Sequence, residues 1–159
     1  MERDEKQAFE AVWARVTGRT ETAALPPVPR RDGLAALIAD AEADEAFCRA
    51  AAARAGRSRA GALFAALAAE DRRLLRALRA RRYLHQGDPG PVTAPPAAPR
   101  MGTLPALREA CLRREALSSR LAEAAKDSEP RTARLLLEEA ARAEERVSQL
   151  MALIEAMMD

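Results

Sequence analysis

Three carboxylates interrupt apolar helical stripes in this chain: Asp71, Glu115 and Glu144. Leu67 and Leu74 flank Asp71, Cys111 and Ser118 flank Glu115, and Ala140 and Val147 flank Glu144, at spacings that place each acid on an apolar helix face. Each acid falls near the middle of its helix, where antiparallel neighbours would bring all three to a common level. Ionised carboxylates in an apolar interior are costly without partners. Four arrangements relieve that cost: a shared cation, arginine partners, retained protons, or side chains tilted out to water. The first is a metal site with Asp71, Glu115 and Glu144 as its ligands. The other three are structural.

Little else in the sequence has the residue types for chemistry. The single histidine, His85, stands in YLHQGD with Arg82 three residues before it, so it reads as a solvated loop residue past a helix end. Cys48 and Cys111 are isolated within helical patterns and make neither a disulfide framework nor a zinc site. Cys48 lies on an inner stripe and reads as an inert buried thiol. No phosphate-binding glycine loop and no Ser/His/Asp set is present. The segment RRLLRALRARRYL (72–84) is a basic amphipathic helix end, whose cations complement the helix dipole.

Charge and composition narrow the classes further. Twenty-six basic and 24 acidic residues are interspersed, for a net charge of +2; nucleic-acid binding wants a basic patch or stripe, only one segment qualifies, and no nucleic acid is expected as partner. No apolar run reaches the roughly 18 residues of a membrane span. The opening MERDEKQAFE has no apolar signal core, so the expected location is cytoplasmic, with reduced thiols. The apolar share is 48% but only 3% of residues are aromatic, so the core is Ala and Leu, which suits helix packing and not a sheet.

The elements that must position the acids follow from periodicity and breakers. Residues 4–17 read as a short amphipathic helix with Phe9, Val12, Trp13 and Val16 on one face, ended by Gly18. Residues 18–31 are a proline-rich linker, so 1–31 form a leading segment and 32–159 one domain. Within that domain the pattern predicts helices over 33–55, capped by Asp32, and 59–83, capped by Ser58. A third begins at Thr103, and a fourth is capped by Asp127 or Ser128 with Pro130 in its first turn. Residues 84–102 are too long and proline-rich for a helix turn and make a crossover between two αα-hairpins. The expected fold is all-α: an antiparallel four-helix bundle with one long crossover, which is the ferritin-like arrangement. The short N-terminal helix should pack on its outside through Trp13.

The segments FEAVWARV (9–16), LIADAEADEAFCRAAAARA (37–55), LFAALAAEDRRLLRAL (63–78), ALREACLRREALSSRLAEAA (106–125) and LLLEEAARAEERVSQLMALI (135–154) follow one another in a telling order and spacing. Together they resemble the ferritin-like, rubrerythrin-related proteins of Gram-positive bacteria over nearly the whole chain. The resemblance implies a di-iron site. It puts the first-helix glutamate on Ala41 and the second-helix Glu-x-x-His on Asp71 and Leu74. The third-helix glutamate falls on Glu115, and the fourth-helix Glu-x-x-His on Glu144 and Val147. Three of those six positions keep a carboxylate, and both histidines are apolar here. No cofactor is therefore expected, and the chain reads as a binding or structural module that has lost its metal site. Its partner would be an unidentified protein or a second copy in a homodimer. The alternative is a metal-dependent oxidoreductase or metal-binding protein with a weak iron or manganese site on the remaining carboxylates.

Overall fold

Alanine-rich sequence with breakers at the hairpin bends gives five helices among the described residues. A computed structural model describes residues 3–17, 33–90 and 100–159. The helices are α1 (Arg3–Thr17), α2 (Gly33–Ala55), α3 (Arg59–Gln86), α4 (Thr103–Lys126) and α5 (Pro130–Met158). The described residues contain no strand, and the fold is all-α. The expected roles of Gly18 and Asp32, the linker prolines and most of the crossover lie outside the described residues.

The helix ends show which local signals act. Gly56 takes φ 61° after α2, a left-handed conformation that suits glycine. Ser58 caps α3, its Oγ accepting from the Gly61 N–H at 3.0 Å. Helix α3 then continues past the expected end at residue 83 to Gln86, where Gly87 at φ 69° closes it by donating its N–H to the Tyr83 carbonyl. His85 is therefore in the last helical turn and not in a loop, and the crossover starts at Gly87. Two expected caps are corrected. Gly102, not Thr103, precedes α4, with no side-chain cap; Glu129, not Asp127 or Ser128, caps α5 by accepting from the backbone N–H groups of Thr132 and Arg131. A carboxylate at that position also complements the helix N-terminus.

Cross-helix ion pairs give the directions. Asp44 with Arg113 and Asp40 with Arg120 show α2 and α4 running antiparallel. Glu70 with Arg146 and Glu139 with Arg73 show the same for α3 and α5. Helices α2 and α3 form one hairpin, α4 and α5 the other, and the hairpins meet along α2/α4 and α3/α5. Helix α1 packs on α4 and α5 through buried Trp13 and Val16.

The core separates into two apolar clusters. One holds Phe47, Phe64, Leu107, Leu150 and Ile154, together with Trp13 and Val16. The other holds Leu37, Leu74, Leu78, Leu121 and Leu136. Between them lies a charged layer.

Candidate functional site

The buried faces follow steps of four and three: Leu37, Ala41, Asp44, Cys48, Ala51 on α2, and Leu107, Cys111, Arg114, Ser118, Leu121 on α4. Such a heptad-like repeat keeps a seam turned to its neighbours along a long packed helix. The seam of α5 is Leu136, Ala140, Ala143, Val147, Leu150, Ile154. Antiparallel pairing brings Asp44, Asp71, Arg114 and Ala143 to one level.

Asp71 is 0% exposed and lies inside, as its stripe predicts. Arg114 reaches across the interior from α4 and donates two hydrogen bonds to the Asp71 carboxylate, Nη1 to Oδ1 at 2.6 Å and Nη2 to Oδ2 at 2.8 Å. The same Nη2 donates to the Leu67 carbonyl at 3.0 Å. A planar guanidinium suits this bidentate geometry, and the extra carbonyl satisfies donors that burial would otherwise orphan. Burial pushes the Asp71 carboxyl up to about 7, against the pull of Arg114. Arg114 is held protonated: burial lowers its affinity for the proton, and the Asp71 charge and hydrogen bonds more than offset that. Asp44, also buried, is raised by desolvation and drawn down by Arg113, whose Nη1 lies 3.0 Å from Asp44 Oδ1. The Arg113 guanidinium stacks over Phe47, 4.5 Å from the ring centre.

The other two expected ligands are elsewhere. Glu115 is half-buried and Glu144 is exposed, both beside the α4/α5 seam. Glu144 Oε1 accepts from Ser118 Oγ at 3.3 Å. Burial first, then the Glu144 charge, raises the Glu115 carboxyl above its usual range. The three carboxylates therefore do not converge. The physical reason is register. Stepping by four from Cys111 reaches Glu115, whereas the packed seam steps by three to Arg114; on α5 the same slip separates Glu144 from Ala143. The residues that the resemblance puts at the remaining ligand positions are buried: Ala41 at 0%, Leu74 at 2% and Val147 at 2%.

Sequence reasoning also missed three buried acids besides Asp71: Glu42, Asp44 and Glu139. Each meets an arginine from another helix, Arg79, Arg113 and Arg73 respectively. The heptad step was the available signal for Asp44, since Ala41 and Cys48 bracket it on the seam. The basic segment at 72–84 is drawn into this scheme: Arg72 pairs with Glu45, Arg73 with Glu139, Arg79 with Glu42 and Arg81 with Glu129. His85 is exposed, its Nε2 3.4 Å from Thr132 Oγ1.

The donor set does not fit a di-iron centre. Such a centre takes imidazole nitrogen beside bridging carboxylates, and the chain's single histidine, His85, is exposed at the end of α3. The interior carboxylate already holds a cation that is part of the chain. Among the described residues, no three His, Cys, Asp or Glu side chains are grouped so as to hold a metal ion. No described helix is long and apolar enough to cross a membrane. Comparison with family models, curated proteins and solved structures finds no match to this chain.

Proposed function

We propose that this chain is a ferritin-like, rubrerythrin-related bundle whose metal site has given way to an internal ion pair, and that it works as a binding or structural module. The observation that carries this reading is the Arg114 guanidinium seated on Asp71 in the middle of the interior. A fixed guanidinium neutralises the carboxylate that a metal would otherwise neutralise, and it neither exchanges ligands nor changes oxidation state. Buried Ala41, Leu74 and Val147 add packing where the resemblance places ligands. Exchanging polar ligands for apolar contacts is often neutral or stabilising for a bundle. The antiparallel hairpins joined by a long connection support the ferritin-like arrangement.

Elemental analysis of protein purified in excess iron and manganese tests the reading. Metal well below one ion per chain is the expected result. Two ions per chain together with peroxide-dependent turnover would overturn it and favour a metal-dependent oxidoreductase.

A second reading, a weak single-ion site for iron or manganese, draws on one observation. Glu115 and Glu144 are close enough that one charge raises the other's carboxyl. A cation there would relieve that repulsion. It would sit at the α4/α5 surface, away from Asp71, and would hold at most two carboxylates with water completing its shell. A melting temperature raised several degrees by Mn²⁺ or Fe²⁺, and no longer raised in Glu144→Leu, would establish it.

A further inference from the structure

The mixing of charges fails at one end of the bundle. Between Glu45 and Glu70 the chain has four arginines, Arg49, Arg54, Arg57 and Arg59, and no acid. Between Asp88 and Glu109 it has Arg100 and Arg108 and again no acid. The fold brings the two stretches together. The first runs through the α2–α3 bend, and the Asp44–Arg113 pair sets the start of α4 beside the end of α2. The end of α5 joins them, with Arg108 Nη2 3.8 Å from Met158 Sδ, and its Glu155 is engaged by Arg15 at 2.7 Å. Arg54, Arg57, Arg59 and Arg100 are exposed. Among the described residues, Arg57, Arg59 and Arg100 make no ion pair. The opposite end of the bundle is different: there Arg79 pairs with Glu42, Arg81 with Glu129, Arg120 with Asp40 and Lys126 with Glu123.

Two depressions adjoin these cations. One, open and of about 660 Å³, is lined by Arg54, Arg100, Met101 and Gly102. The other, of about 330 Å³, lies between α3 and α5 and is lined by Arg59, Leu63, Gln149, Ala152 and Leu153. The bend that carries Arg57 connects the helices bearing Arg54 and Arg59. The bundle is two helix diameters wide, about 20 Å, which is the reach of about six extended residues. A guanidinium matches a carboxylate in a bidentate fork, as Arg114 does with Asp71 inside this fold. One exposed pair holds little, but cations gathered at one place attract and orient an acidic partner. Single-stranded nucleic acid would stack its bases on aromatic rings, and no aromatic residue lines either depression. A membrane surface would take a long apolar helix face beside the cations, and here the cations surround a helix bend.

We propose that this arginine-rich end of the bundle docks an acidic segment of a partner protein, an extended stretch of about six residues whose carboxylates meet Arg57, Arg59 and Arg100 and whose apolar side chain enters the depression at Leu63 and Ala152. The mode is acidic-motif recognition by an arginine cluster. It rests on the binding-module reading above and names the chemistry of the partner; metal content tests that reading separately.

The probe is a fluorescein-labelled peptide of one leucine and six glutamates, titrated with the full chain and read by fluorescence anisotropy. Saturable binding below millimolar concentration at low salt, weakening as added salt screens the charges, is expected. Arg57→Glu, Arg59→Glu and Arg100→Glu together should weaken it at least about tenfold. Arg76→Glu, Arg131→Glu and Arg134→Glu together make the same change of net charge at exposed arginines elsewhere, and should weaken it less than about threefold. The peptide without its leucine should bind at least about threefold more weakly. Absence of binding overturns the proposal, as do equal losses in the two triple variants or equal binding without the leucine. Tighter binding of a single-stranded oligonucleotide with six phosphates, or of phosphatidylserine vesicles, also overturns it and makes the occupant a nucleic acid or a membrane. The peptide, oligonucleotide and vesicle titrations of the unaltered chain decide the matter even where a variant fails to fold.

Discussion

Arg114 on α4 and Asp71 on α3 form a bidentate pair through the interior, at 2.6 and 2.8 Å, between helices that are not neighbours at the surface. The pair ties the two hairpins together at mid-length and divides the apolar core into its two clusters.

Breaking that pair from one side leaves a buried charge without compensation. Arg114→Met should lower the unfolding free energy by about 3–5 kcal/mol. The double variant Asp71→Leu, Arg114→Met should recover most of the loss, because the desolvation cost of both charges disappears with them. Urea denaturation of the two single variants and the double variant gives the coupling energy. Additive losses would show that the pair does not act as a unit.

Glu144→Gln should stabilise the fold at neutral pH by about 0.5 kcal/mol, as expected for a half-exposed repulsive pair. The Glu115 carboxyl is raised above 4.5 by burial and by the Glu144 charge. The folded chain therefore keeps a proton that the unfolded chain has released, and stability declines as pH rises from that value through the raised one. The substitution removes the second cause and flattens the decline. Urea midpoints between pH 4 and 8 measure both effects; an unchanged slope would count against the coupling.

Cys48 and Cys111 should resist thiol reagents in the folded protein. Burial is the first cause that pushes both up to about 12, with nearby carboxylates adding to it. The thiolate that reacts is scarce at ordinary pH, and the thiols are 2% and 0% exposed. Labelling at pH 8 should proceed only at the rate of unfolding, and fast labelling of native protein would contradict this placement.

The helix caps offer a paired comparison. Ser58→Ala should cost about 1 kcal/mol, because it removes the acceptor for the Gly61 N–H. Thr103→Ala should cost far less, since Thr103 is already inside α4. Glu129→Ala should lower stability too, since it frees the Thr132 and Arg131 N–H groups. Thermal melts of the three variants rank them. Gly61→Ala tests the neighbouring bend: a Cβ there would stand 2.1 Å from the Gly56 carbonyl oxygen, so the backbone must shift, at about 1–3 kcal/mol.

Helix content, the α2–α3 bend and the burial of Asp71 were legible in the sequence because they rest on local signals. Gly56 and Ser58 end one helix and start the next through their own backbone and hydroxyl chemistry. Asp71 falls on the seam whether α3 is read in steps of three or four. The Trp13 face was legible for the same reason: four apolar residues spaced along two turns admit one buried side.

The register of α4 and α5 was decided by the tertiary structure. Arg114 and Glu115 are adjacent, as are Ala143 and Glu144, and a straight helix of 3.6 residues per turn accommodates either choice. Packing two long hairpins side by side favours the closer 3.5-residue repeat, and that preference turns Arg114 inward and Glu115 toward the edge. The partner of Asp71 was hidden for a related reason. It comes from a helix across the interior, 43 positions along the chain, and only the antiparallel docking of the hairpins sets it level with the acid. What the sequence by itself determined is that helices form, where they break to within about one turn, and that they carry apolar faces, because those depend on bonds within a few residues. Which charges are buried, and against what, depended on the rotation of each helix about its axis, which only contact with the other helices sets.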